Sequence, residues 1–128
     1  MANVLTPMLR SIYLCDRVVS EKGSSLNLEG LFTSLKPEVF PHRSPSIIIF
    51  AQMAGGLGPT TSHVEVHCGS RGQQLFATKK RVVNFTDRLK TYYVAHKIEN
   101  FTFSQPGLYL FEYYCNNVLM GDVPAKVR

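Results

Sequence analysis

The sequence predicts an all-β domain: a two-sheet antiparallel sandwich of seven or eight strands, immunoglobulin-like in architecture. Three observations carry this expectation. Short runs rich in Val, Ile, Phe, Tyr and Thr recur, with Gly, Pro, Asn and Ser clusters between them. No stretch of about ten residues joins a helical apolar period to helix caps. Turn signals return every roughly 8–16 residues, the rhythm of short paired strands.

The first candidate strand runs from Met8 to Val19, bent near Cys15 and Asp16, and Glu21–Ser25 (EKGSS) is a turn cluster. The second covers Leu26–Leu35. Pro37, Pro41 and Pro45 then mark a link, because prolines so close together do not suit a central strand. The third strand is Ser46–Ala54, followed by GGLGPTT (Gly55–Thr61), which reads as the most flexible piece of the chain. This loop lacks the GK[ST] ending of a phosphate-binding loop. The fourth strand is Ser62–Cys68, the turn GSRGQQ follows, and the fifth strand is Leu75–Phe85. The polar link Thr86–Thr91 leads to a sixth strand, Tyr92–Phe103, whose phase slips near Glu99 and Asn100, as at a bulge. Strands seven and eight, Gly107–Cys115 and Val118–Val127, are joined by Asn116-Asn117, a two-residue hairpin signal because Asn tolerates φ > 0.

The bulk numbers fit one domain over residues 1–128, with 45% hydrophobic and 18% charged residues. The longest apolar run, Ile47–Ala51, is far short of the about 20 residues of a spanning helix, so no membrane partner is expected. Pro7 and Arg10 interrupt an N-terminus that has no basic leader region, which argues against a signal peptide and for a cytoplasmic protein. Cys15, Cys68 and Cys115 form no CxxC pair, which excludes a zinc ribbon or knuckle. They read as reduced core thiols; a Cys15–Cys115 bridge is the alternative and needs an oxidising compartment. The net charge of +5 permits an anionic partner without requiring one.

Phe103-Ser104-Gln105-Pro106-Gly107-Leu108-Tyr109-Leu110-Phe111 has the form F-x-x-P-G-x-Y-x-F. It resembles the corner before the second-last strand of immunoglobulin-like sandwiches, where a Tyr returns its hydroxyl to the backbone; the Trp of a true immunoglobulin domain is absent. Leu14-Cys15-Asp16, Asn27-Leu28-Glu29-Gly30-Leu31-Phe32, Phe40-Pro41 and Gly107-x-Tyr109 together give the chain a wider likeness. It resembles an uncharacterised family of small bacterial sandwich proteins, a family of unknown function. The resemblance implies the fold and no activity.

The stretch most like chemistry is SHVEVHCG, residues 62–69. Alternation puts His63, Glu65 and His67 on one face of a strand and Val64, Val66 and Cys68 on the other. The expectation is a solvated polar face with no metal. His63 and His67 are about 13 Å apart along such a strand, too far for one ion. Glu65 with either histidine can chelate only if a neighbouring strand supplies a third ligand. Cupin barrels use H-x-H followed by a Glu, and the H-x-E-x-H here departs from that pattern. No G-x-S-x-G is present and the acids are scattered singly, so no enzyme and no catalytic residue is expected.

Lys79, Lys80, Arg81, Arg88, Lys90 and Lys97 form a basic stretch with Phe85, Tyr92 and Tyr93 among them, and are the candidates for binding single-stranded nucleic acid. Against that, alternation separates Lys79 and Arg81 from Lys80, and edge-strand cations also prevent unwanted pairing. Ile48, Phe50, Leu108, Leu110 and Tyr114 give two strands a second apolar face, which suggests a homo-oligomer interface. The resulting reading is a non-catalytic binding or structural module with no cofactor, a homo-oligomer with an unidentified protein partner. The alternatives are a metal-dependent, cupin-like enzyme and a single-stranded nucleic-acid binder.

Overall fold

The computed structural model describes residues 4–20, 25–69 and 72–128. Most of the turn expected at 21–25, and Ser70 and Arg71 of the GSRGQQ turn, lie outside the described residues. The described chain is all-β, with eleven strands: β1 (Met8–Cys15), β2 (Arg17–Ser20), β3 (Leu26–Glu29), β4 (Ser34–Leu35), β5 (His42–Ala54), β6 (Gly58–Cys68), β7 (Gln73–Ala77), β8 (Arg81–Phe85), β9 (Tyr92–Phe103), β10 (Gly107–Cys115) and β11 (Val118–Val127).

They form three sheets. One has three strands in the order β1-β5-β9. The second has six, β4-β11-β10-β6-β7, with β8 also paired to β6, and the third is the β2-β3 pair. Pairing is antiparallel except for β4 on β11. The expected seven or eight strands in two antiparallel sheets are thus too few, because contacts between distant residues divide three of the expected strands. Gly30, at φ 72°, ends β3, and a Cβ there would collide with the Asp16 carboxylate. Asp16 and Gly30 therefore break both of the first two expected strands. The fifth expected strand divides at 78–80, where Thr78 leaves β7 to exchange hydrogen bonds with the backbone of Val64.

Two expected links turn out to be strand. β5 starts at His42 and contains Pro45. The proline is tolerated because β1 pairs β5 only from Ile48 onward, so at Pro45 the strand has a neighbour on one side. Asn100, at φ 57°, reverses the burial phase of β9 between Ile98 and Phe101, where the sequence phase breaks, but the register with β5 runs on unshifted from His42↔Phe103 to Met53↔Tyr92, so the expected bulge is not found. β6 starts at Gly58, so the flexible loop expected over Gly55–Thr61 reduces to three residues. The last hairpin follows the sequence: Cys115 pairs with Val118, and Asn116 and Asn117 take φ of 51° and 63°.

Both large sheets contribute to one core. Leu14, Ile47, Ile49, Met53, Val94 and Ile98 come from the three-stranded sheet, and Val64, Val66, Phe111, Tyr113, Val123 and Val127 from the six-stranded one. Tyr109 donates its hydroxyl to the Gln105 carbonyl at 2.6 Å, closing the corner before β10. Cys15 and Cys115 are buried thiols that form no disulfide, so the alternative Cys15–Cys115 bridge is not present.

Candidate metal centre on the outer face of the large sheet

β6 runs between β10 and the β7 and β8 strands. Its inward residues, Thr60, Ser62, Val64 and Val66, are at most 1% exposed, so His63, Glu65 and His67 occupy the outer face as alternation requires. Register then decides what they meet. His63 is opposite Tyr114, Glu65 opposite Glu112, and His67 opposite Leu110 on β10. On the next strand Asp122 is opposite Glu112. Three carboxylates thus occupy one row across three strands, and like charges directly opposite one another are destabilising unless a cation lies between them.

The group that faces the glutamates of this row is His67. Its Nε2 is 2.9 Å from Glu65 Oε1 and 3.0 Å from Glu112 Oε1. Among the described residues no lysine or arginine forms an ion pair with either glutamate. His67 Nδ1 is 3.3 Å from the Gly72 carbonyl, which can only accept, so Nδ1 carries the hydrogen. Nε2 would then be a bare lone pair aimed at two carboxylates. It must hold either a second proton or a metal ion. Burial alone would lower the His67 value, but the Glu65 and Gly72 hydrogen bonds and the charges of Glu112 and Glu65 outweigh it and raise it.

The surrounding groups fix this geometry. His63 Nε2 is 2.9 Å from Glu65 Oε2, the oxygen that His67 does not use. That hydrogen bond is the main cause of a lowered Glu65 value; desolvation opposes it and His67 adds to it. Tyr114 stacks on the His63 ring at 4.9 Å and 12°, and its hydroxyl donates to Glu112 Oε1 at 2.8 Å. Burial first, and then that bond, push the Tyr114 phenol up to about 12.

The expectation of a solvated polar face is corrected here. His63, Glu65 and His67 side chains are only 5%, 21% and 17% exposed, because β10 lays Glu112 and Tyr114 against them. The two histidines do not meet at one point; they take opposite oxygens of Glu65. Glu112 stands where a third ligand from a neighbouring strand would have to be. Ligand atoms of Glu65, His67 and Glu112 lie within 4.8 Å of one another. Cis ligands at 2.1 Å from an octahedral ion are about 3.0 Å apart, close to the spacing seen. An imidazole with two carboxylates suits a divalent ion of the manganese, iron or zinc type.

A family model for a family of unknown function, DUF6941, matches residues 10–128. The chain belongs to the DUF6941 family. No curated protein matches it. Membership in DUF6941 agrees with the expectation of a family without assigned activity, and it supplies no functional residue.

The inner face of β6 in this DUF6941 chain holds a second polar group, unexpected from sequence. Ser62 Oγ is 2.7 Å from His96 Nε2 and 2.7 Å from the Tyr113 hydroxyl. Ser62 is 1% exposed, so this serine–histidine pair offers no nucleophile to a substrate. Of the basic candidates, Lys79, Lys80, Arg81 and Lys97 line one cleft, whereas Arg88 and Lys90 are not among its lining residues. Lys90 instead lies over the Tyr92 ring at 5.5 Å. The apolar interface candidates divide between two sheets. Ile48 and Phe50 are on the outer face of the three-stranded sheet, where Phe50 stacks on Tyr93 at 5.5 Å. Leu108, Leu110 and Tyr114 are on β10, and the Tyr114 ring is already taken by His63.

Proposed function

We propose that this protein is a binding module that takes one divalent transition-metal ion at Glu65, His67 and Glu112. The observation that carries this reading is the His67 Nε2 atom, held 2.9 Å and 3.0 Å from carboxylates of two strands while its other nitrogen is committed to a carbonyl. His63 and Tyr114 support the two glutamates from behind, the usual arrangement around a metal's ligands. The reading assigns the site no reaction. The Tyr109 corner also supports reading the two large sheets as an immunoglobulin-like sandwich.

The test is metal analysis and calorimetric titration of protein purified without a histidine tag, using Zn²⁺, Mn²⁺ and Fe²⁺. One ion per chain is expected, and Glu112→Gln should weaken binding about 100-fold or more. At a free ion concentration about 100 times Kd, the native state should gain about 2.7 kcal/mol. If none of the three ions binds or raises the melting temperature, the cluster is a proton-bound one with His67 as imidazolium, and the proposal fails.

A further inference from the structure

A cleft of about 700 Å³ opens where the β7–β8 corner meets β9, and it is independent of the carboxylate row. Alternation along an unbroken strand would have sent Lys79 and Lys80 to opposite faces. The strand breaks at 78–80, and both line this cleft together with Arg81 and Lys97. The corner is anchored: Thr78 N donates to the Val64 carbonyl and Thr78 Oγ1 accepts from Val64 N, both at 2.9 Å. Arg81 is anchored too, donating one N–H to the Ala95 carbonyl of β9 at 2.8 Å, which leaves its other donors for a ligand. The acid nearest to these cations, Glu99, is 3.7 Å from Lys97 in an exposed pair, so it neutralises little.

Two further residues give the cleft more than charge. Phe76 lines it, 39% exposed as a residue, with its ring braced edge-on by Phe101 at 6.4 Å. His96 also lines it, tied through Nε2 to Ser62. The volume falls in the range of small-ligand sites. Four cations beside an exposed aromatic match phosphates joined to a flat ring.

We propose that this cleft binds a nucleotide, its phosphates on Lys79, Lys80, Arg81 and Lys97 and its base against Phe76. The nucleotide can be free or part of a single strand, and the experiment separates the two. Binding of ATP, of inorganic tripolyphosphate and of a ten-residue oligothymidylate is measured by calorimetry or anisotropy at low and moderate salt. A free nucleotide site binds ATP more tightly than tripolyphosphate and gains nothing from the oligonucleotide. A strand site favours the oligonucleotide, with a salt slope that grows with the number of phosphates held. In either case, a Lys79→Ala/Lys80→Ala double variant should lose about tenfold per lysine. Phe76→Ala should weaken ATP or the oligonucleotide and leave tripolyphosphate unchanged. Arg88→Ala and Lys90→Ala, outside the cleft, should change nothing. The proposal is overturned if none of the three probes binds at low salt, if tripolyphosphate binds as well as ATP and the oligonucleotide with Phe76→Ala silent, or if Arg88→Ala weakens binding as much as the double variant. Circular dichroism of each variant confirms that losses are not unfolding.

Discussion

The two faces of β6 carry polar groups with opposite electrostatics. Outside, His67 lies between Glu65 and Glu112, and its value is raised despite burial. Inside, His96 meets Ser62 from β9, and its value falls to about 4, through burial first and then the positive charge of Arg81 and a smaller effect of His63. Both rings are largely hidden from water. The sign of the partners, and not depth alone, decides which of them holds a proton. The outer group is built to hold a positive charge, as a proton or an ion. The inner one is a neutral chain, His96–Ser62–Tyr113, that ties the two large sheets together across the core.

The strongest way to break that contrast is Ser62→Ala. It leaves His96 Nε2 and the Tyr113 hydroxyl facing a methyl group in the core. Each buried polar group stranded in this way costs about 1–3 kcal/mol, so a loss of about 3 kcal/mol is expected in urea unfolding. Metal affinity on the outer face should stay the same. A loss below about 0.5 kcal/mol would mean that the inner chain does not hold the sheets together.

A somewhat smaller effect comes from pH. The His96 value is about 4 folded and near 6.5 unfolded, so between these limits the unfolded chain binds the extra proton. Its contribution is fully present above pH 6.5, is lost as pH falls toward 4, and is constant below that. The loss should amount to about 2–3 kcal/mol across the window. His96→Gln should flatten stability between pH 6.5 and 4, and an unchanged slope would remove His96 as its source.

The two faces also differ in how far the sequence revealed them. Alternation in SHVEVHCG placed Val64 and Val66 in the core and the H-x-E-x-H residues outside, because a pleated strand allows nothing else. What it left open was the partner strand. Glu65 and Glu112 are 47 residues apart, and their apposition depends on β10 lying beside β6 in one particular register. The available signal was Glu112 itself, a lone acid on an otherwise apolar outer face of Leu108, Leu110 and Tyr114. The inner chain was less legible still, since Ser62, His96 and Tyr113 come from three strands and each alone reads as ordinary. The Asn116-Asn117 hairpin, by contrast, is local chemistry and was readable in full. The bend near Cys15 and Asp16 was readable, though it is a full break, but the breaks at Gly30 and 78–80 were missed because tertiary contacts cause them: a carboxylate packed on a glycine, and a threonine bound to the next strand.

The finest test of the contrast is Tyr114→Phe. Phenylalanine keeps the ring that stacks on His63 and removes only the hydroxyl that donates to Glu112 Oε1. One hydrogen bond to a partly buried carboxylate is worth about 1 kcal/mol in stability, and loss of such a supporting contact weakens a metal site about tenfold. In the Glu112→Gln background the same change should have almost no further effect on metal binding, because the oxygen it steadied no longer carries charge. If Tyr114→Phe weakens metal binding equally in both backbones of the cycle, the tyrosine acts through His63 stacking or through the sheet, and Glu112 is not the group it positions.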